Sequence, residues 1–302
     1  MLLNHRSIAT VFLFLGCFSY LTLAQTPPDE IITVDSSIVV VNATISDGSG
    51  RSVGSLGKRL FRVFEDGVEQ PIESFSAEST PFAAVILLDT SGSMEQRVTL
   101  ARAAAIQFLD GLRGEDFAAI YNFDSKVQMV QEFSNSRSMR DAVFDLKSYG
   151  MTVLNDAVYT AAEMLSKRPE RRRAIVLLSD GADTMSRRSA DRALQAALLA
   201  DATIYTVDMS AINYNGKDRF QNQSVLKNFA DKTGGRFVAT PGGLAMRDAF
   251  KQIVEELGGQ YTIAYQPSNT KQDGKWRSIE LRVARPSLTI RARKGYKAPK
   301  AK

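Results

Sequence analysis

One stretch constrains the fold more than any other: Val85-Ile86-Leu87-Leu88-Asp89-Thr90-Ser91-Gly92-Ser93-Met94. An apolar run stops at an acid, Ser-Gly-Ser follows, and a helical spacing begins. Such a run, closed by small polar residues, reads as a buried parallel strand. Its carboxyl end would deliver Asp89, Ser91 and Ser93 to one place. Open α/β sheets keep their ligand sites at these strand ends. A carboxylate and two hydroxyls on a tight loop suit a hard cation that retains water.

The neighbouring sequence continues the pattern. Ala83–Leu88, Phe117–Phe123, Ala174–Ser179 and Thr203–Met209 read as core strands. Between them apolar residues recur at helical spacing: Ala101 to Leu112, Leu154 to Leu165, Met246 to Leu257, and shorter stripes in Met139–Leu146, Ala190–Leu198 and Val225–Ala230. These stripes face a core. Strands alternating with helices predict an α/β fold, a doubly wound, mostly parallel, Rossmann-like sheet covered on both faces. Val127–Phe133 reads as an added antiparallel edge strand.

Both flanks are β-rich. Ile31 to Ile45, Phe61–Glu65 and Val68–Phe75 have extended character, with Asp66-Gly67 as a hairpin turn. Tyr261–Tyr265, Arg277–Val283 and Leu288–Ala292 follow the last helix. Neither flank has enough strands for a sheet of its own. The expectation is that residues 31–78 pair with 260–296 in one small β-sandwich, with the α/β domain, 80–258, inserted between them. Residues 297–302 form a basic tail, expected to be loose at its end.

Residues 1–24 have the pattern of a secretory signal peptide: Arg6, an uncharged apolar run from Ile8 to Leu23, and Thr22-Leu23-Ala24 before the cut. An uncleaved anchor and a lipoprotein signal through Cys17 are the alternatives. Residues 25–30 would be a flexible lead. The chain holds one His and one Cys, and both, His5 and Cys17, lie within the signal. Its removal leaves no thiol, no disulfide and no imidazole. That excludes histidine-assisted catalysis and the usual zinc sites. The net charge of +5 falls to +4 with the loss of Arg6. Export and so modest a charge argue against nucleic acid as partner. No transmembrane helix remains after signal removal. The destination is exported: periplasmic, cell-surface or extracellular.

Two further residues belong with the first three. Thr152 precedes the helix at Leu154, and Asp180 ends the strand Ala174–Ser179 in Ser179-Asp180-Gly181. Both lie at the same sheet edge. Asp-x-Ser-x-Ser, a distant Thr and an Asp in a Ser-Asp-Gly turn resemble the metal-ion-dependent adhesion site of the von Willebrand factor type A family. Phe61 to Gly67, Leu178 to Asp183, Thr233-Gly234-Gly235 and Arg293 to Tyr296 are similar to exported bacterial proteins described as von Willebrand factor A-related, abundant in acidobacteria.

The resemblance implies a metal held by Asp89, Ser91, Ser93, Thr152 and Asp180. The serines would bind directly, with Asp89, Asp180 or Thr152 often acting through water. Mg²⁺ suits such a set best; Mn²⁺ could substitute, and Ca²⁺ would be looser. A partner protein or glycan would supply a carboxylate to complete the octahedron. The expected function is therefore a metal-dependent adhesion module of the bacterial envelope and not an enzyme. The alternative is an envelope scaffold with a vestigial or regulatory site. A phosphatase with Asp89 as nucleophile would need Asp-x-Asp, and Ser91 stands where the second acid belongs. Asp156 and Asp183 lie nearby; Asp183 would either bond a liganding group or serve as a helix-start carboxylate. Ala211 to Gln223 reads as a polar loop on the metal face, a recognition rim or merely mobile. Arg171-Arg172-Arg173 reads as a solvated turn, with a binding patch as the alternative.

Overall fold

A computed structural model describes residues 38–77, 79–138, 150–210, 217–239 and 243–301. The signal peptide, the lead and the stripe Met139–Leu146 lie outside the described residues.

The central layer is a six-stranded sheet. β5 (Phe82–Asp89), β6 (Phe117–Phe123), β8 (Arg172–Ser179), β9 (Ala202–Asp208) and the short β10 (Phe237–Val238) are parallel. β7 (Val127–Ser134) runs antiparallel at the edge beside β6. The order is β10-β9-β8-β5-β6-β7. β5 is buried at every position, as a strand covered on both faces must be. Its side chains alternate between two cores. Ala84, Ile86 and Leu88 meet Phe108 and Leu109 of α1 (Val98–Asp110) and Phe250 and Ile253 of α5 (Gly243–Gly259). Ala83, Val85 and Leu87 meet α2 (Leu154–Ser166), α3 (Ala190–Leu199) and α4 (Lys217–Thr233) on the other face.

The flanking strands form two four-stranded sheets. One has the order β13-β1-β11-β4, from β1 (Val39–Ser46), β4 (Ile72–Ser76), β11 (Tyr261–Tyr265) and β13 (Thr289–Ala292). The other is β14-β12-β2-β3, from β2 (Phe61–Glu65), β3 (Val68–Gln70), β12 (Trp276–Val283) and β14 (Gly295–Lys297). Val41, Ile45, Phe61, Val63, Tyr261, Ile263, Ile279 and Leu281 share one core. β1 lies between two strands that arrive more than 200 residues later: Val41 opposes Ile263 and Ile45 opposes Ile290. Inside, the Glu65 carboxylate accepts hydrogen bonds from the Tyr265 and Tyr296 hydroxyls at 2.8 and 3.0 Å.

Four expectations need correction. Val68–Phe75 is two strands in different sheets, because Pro71 has no N–H to carry a ladder across. The preceding turn does use left-handed Asp66 and Gly67, with φ of 47° and 82°. The polar stretch before Gln223 is helical from Lys217 onward; residues 211–216 lie outside the described residues. The basic tail is tied down: β14 pairs with β12, and Lys300 bridges to Asp273. The arginine triplet is not a solvated turn, since Arg172 is wholly buried. Its guanidinium donates to the carbonyls of Gly258 (2.8 Å) and Gln260 and to Thr262 Oγ1 (3.3 Å). One arginine thus joins the start of β8 to the end of α5 and to β11.

Candidate metal centre

The five candidate ligands are assembled by backbone bonds between neighbouring strand ends. β6 lies on one side of β5 and β8 on the other, so β5 is where the connections change direction and a crevice opens. Asp89 is the last residue of β5. The next residue, Thr90, donates its N–H to the Phe123 carbonyl at 2.8 Å. Gly92 N–H reaches the Gly150 carbonyl at 3.3 Å, which draws the serine loop to the loop carrying Thr152. Val153 N–H bonds the Asp124 carbonyl at 2.9 Å. On the far side, Thr152 N–H donates to Thr184 Oγ1 at 2.9 Å, and the Thr152 carbonyl accepts from Thr184 and Met185 at 3.0 Å each. The loop that begins at Asp180 therefore clasps the Thr152 loop.

Asp89 is fully buried. Its Oδ1 accepts from Ser91 N–H at 2.9 Å and its Oδ2 from the Ser179 hydroxyl at 2.6 Å. Ser179 Oγ in turn accepts from Gly181 N–H at 3.0 Å, holding the turn that presents Asp180. The hydroxyls of Ser91 and Ser93 lie 3.2 Å apart. Thr152 is buried, Asp180 half-buried, and Ser93 exposed. Burial pushes the Asp89 carboxyl up to about 7; bonds from Ser179 and Ser91 oppose this, and the nearby Asp180 charge adds to it. Among the described residues no Lys or Arg forms an ion pair with Asp89.

This donor set fits a hard divalent cation. Two carboxylates and three hydroxyls offer only oxygen, the preference of Mg²⁺. A buried carboxyl with a second acid nearby and no ion-paired cation among the described residues leaves room for a cation's charge. Among the described residues, no group of three or more His, Cys, Asp or Glu gathers as a metal site.

Asp183 turns out to be a helix-start carboxylate. Its Oδ2 accepts from Asn155 N–H at 2.8 Å in the first turn of α2, and its Oδ1 from Ser186 N–H at 3.0 Å. Asp156 accepts from the Arg187 and Arg188 amides at 3.0 and 3.1 Å. These acids brace the 180–188 loop against α2. The sequence reading missed two residues. One is Ser179, the direct partner of Asp89. The other is Asp208 at the end of β9, where Asp208-Met209-Ser210 repeats the Asp-x-Ser pattern. Asp208 is buried, and its carboxylate accepts from Ser210 N–H, Ser210 Oγ and Gln223 Nε2 at 2.9, 2.6 and 2.6 Å. The repeated pattern was the available signal. It fastens α4 to the strand end beside the site.

Residues 84–182 match the model of the von Willebrand factor type A domain. No curated protein matches the chain. Among solved structures, a von Willebrand factor type A protein from Catenulispora acidiphila is similar, with 14% identity, a TM-score of 0.50, and coverage of 88% of this chain and 74% of that one. The domain of the type V pili tip protein Mfa5 from Porphyromonas gingivalis is 14% identical at TM-score 0.49, covering 59% of this chain and 95% of that one. Protein BatB from Bacteroides thetaiotaomicron is 16% identical at TM-score 0.46, covering 58% and 98%. At 14% identity, the likeness to the Catenulispora acidiphila protein is one of fold.

Proposed function

We propose that the von Willebrand factor type A domain of this chain is a divalent-cation-dependent binding module of the cell envelope. Its partner is a protein or glycan that presents a carboxylate. The observation that carries this reading is the convergence of Asp89, Ser91, Ser93, Thr152 and Asp180 on adjoining strand-end loops, each loop bonded to the next.

A bound Mg²⁺ would supply the positive charge on which the partner's carboxylate docks. The chain's own residues prepare that event. Ser179 fixes the rotamer of Asp89, so its charge lies beneath the serine loop. The Ser91 and Ser93 hydroxyls already lie side by side, 3.2 Å apart. Thr184 and the braced 180–188 loop hold Thr152 and Asp180 in register.

A rim of exposed apolar side chains favours a polypeptide partner. Met151 and Met185 are exposed and adjoin Thr152, and Phe220 is exposed in the first turns of α4. Exposed apolar groups around a polar centre mark interaction surfaces, and methionine adapts to irregular partners. We read the site as one for binding: the segment expected to remain after export has no histidine, the usual proton carrier near neutral pH. The signal-like residues 1–24 support export. Among the described residues no helix is long and apolar enough to cross a membrane.

One observation favours a second reading, a scaffold with a vestigial site. Asp89 is closed off from solvent and bonded on both oxygens. Calorimetric titration with MgCl₂ and MnCl₂ separates the two. Saturable binding by the wild-type chain, lost in Asp89→Ala and Thr152→Ala, supports the binding module. Absence of heat, or heat unchanged in both variants, overturns it.

A further inference from the structure

The three consecutive arginines before and within β8 have different fates. Arg172 is buried and bonded, as described. Arg173 donates to the carbonyls of Glu170, Ala200 and Arg168 at 2.9, 3.0 and 2.6 Å. Arg171 is exposed, and its guanidinium has no hydrogen bond or ion pair among the described residues. It lines two hollows of about 550 and 410 Å³ that also share Ser74. Pockets of such size take ligands.

The floor of this cleft is the outer face of one flanking sheet. Ser76 opposes Thr262, and Ser74, Ala264 and Val40 form the next cross-strand row. The opposite wall is the amino end of the central sheet, with Phe117 and Arg171. β4 is the terminal strand of its sheet. Its outer edge from Ile72 to Phe75 therefore meets no described strand and presents unused backbone donors and acceptors. Glu115, exposed and without an ion pair among the described residues, lies at another part of the larger hollow.

We propose that the free edge of β4 receives an extended segment of another polypeptide, added as a strand, with a carboxylate side chain of that segment reaching past Ser74 into the cleft, where Arg171 holds it. Main-chain bonds to a free edge give such a segment affinity, and pockets for alternate side chains give it specificity. A guanidinium matches a carboxylate with two parallel bonds. Glu115 repels a second acid and accepts a basic residue, so the two charges set the direction of the incoming strand. The cleft is independent of the metal centre. It lies at the amino ends of β5 and β8, and Asp89 and Asp180 lie at or just past their carboxyl ends. Eight residues of strand separate the two ends, about 25 Å.

The test is selection of a phage-displayed random peptide library on the full chain in EDTA, which silences the metal centre. The expected peptides carry an acidic residue, bind Asp89→Ala as well as wild type, and protect β4 amides in hydrogen–deuterium exchange. Arg171→Glu should weaken them at least tenfold while leaving the thermal midpoint unchanged. Replacing the peptide's acid by lysine should restore binding to that variant. No enriched peptide, protection elsewhere than β4, or equal binding to Arg171→Glu would each overturn the proposal.

Discussion

Replacing Arg172 by alanine tests whether the inserted domain and the sandwich are one cooperative unit. The substitution strips donors from two buried carbonyls, Gly258 and Gln260, and from Thr262 Oγ1. Hydrogen bonds from a charged group contribute about 1.5–3 kcal/mol each, so three give a gross loss of about 4.5–9 kcal/mol. Part of this is offset. Burial, with repulsion from Arg113 and against attraction from Asp116, lowers the Arg172 guanidinium to about 10 from its ordinary 12.5, and at about 1.4 kcal/mol per pH unit that net shift offsets on the order of 3 kcal/mol. The net expectation is a destabilisation of about 4 kcal/mol, a large part of the stability of an ordinary domain. Urea unfolding in EDTA measures it with two signals from different places. The single tryptophan, Trp276, lies in β12 and reports on the sandwich. Far-UV circular dichroism reports mainly on the helices of the inserted domain. Both midpoints should fall together, because Arg172 belongs to β8 and its acceptors to the segment leading into β11. Arg173→Ala, two of whose three acceptors (Arg168 and Glu170) lie in partly exposed turns, should cost less, about 1 kcal/mol. A loss under about 1 kcal/mol for Arg172→Ala, or a shift in one signal alone, would refute the reasoning.

Two other expectations concern stability alone. Gly235→Ala would drive its Cβ into the Ile204 carbonyl, and that backbone cannot move without breaking β9. We expect a loss of more than about 3 kcal/mol by overpacking, read as a fall in thermal midpoint; a change within 2 °C would contradict the packing described, given the scale of midpoint shifts per kcal/mol. The hydroxyls of Tyr205, Tyr265 and Tyr296 are raised above the ordinary tyrosine value of 10, first by burial and, for the latter two, also by bonding to Glu65. The folded state then holds protons that the unfolded chain releases, so stability is complete below pH 10 and declines as pH rises beyond it. The urea midpoint should fall between pH 9 and 11, and less steeply in Tyr265→Phe relative to its own value at pH 9; parallel curves would contradict this.

How much of this was legible in the sequence varied with the kind of signal. β5 and its acid-ended loop were plain, because a strand buried on both faces leaves a continuous apolar run that stops where the loop begins. The companion residues Thr152 and Asp180 followed from their places before a helix and after a strand. The start of α4 was hidden, since Lys217 to Gln223 carries charge and amide groups with little apolar stripe. Its place is set by tertiary contact instead, with the Asn222 backbone lying where a side chain on Gly181 would be. Arg172 was hidden for a similar reason. A run of arginines looks solvated until the carbonyls of Gly258 and Gln260, 86 and 88 residues away, are seen beside it. Pro71 was visible, and its power to divide one extended run between two sheets was under-read. Ser179 stood in a motif already noticed, yet its hydroxyl's bond to Asp89 depends on the register of β5 against β8.

The position of β1 between β11 and β13 has a consequence for the order of assembly. A chain that emerges amino end first exposes β1 long before either of its partner strands exists. The inserted domain can close by itself in that interval, since the strands of its sheet pair only with one another. The sandwich must wait for residues 261–297. Its contacts are then among the most sequence-distant in the molecule, the kind that form last and slowest. Until they form, β1 is an unclaimed edge and a route to self-association. The finished inserted domain shortens that wait by bringing Thr233 and Gly259 close to where the late strands must dock, so the early-folding part acts as the template on which the sandwich is completed.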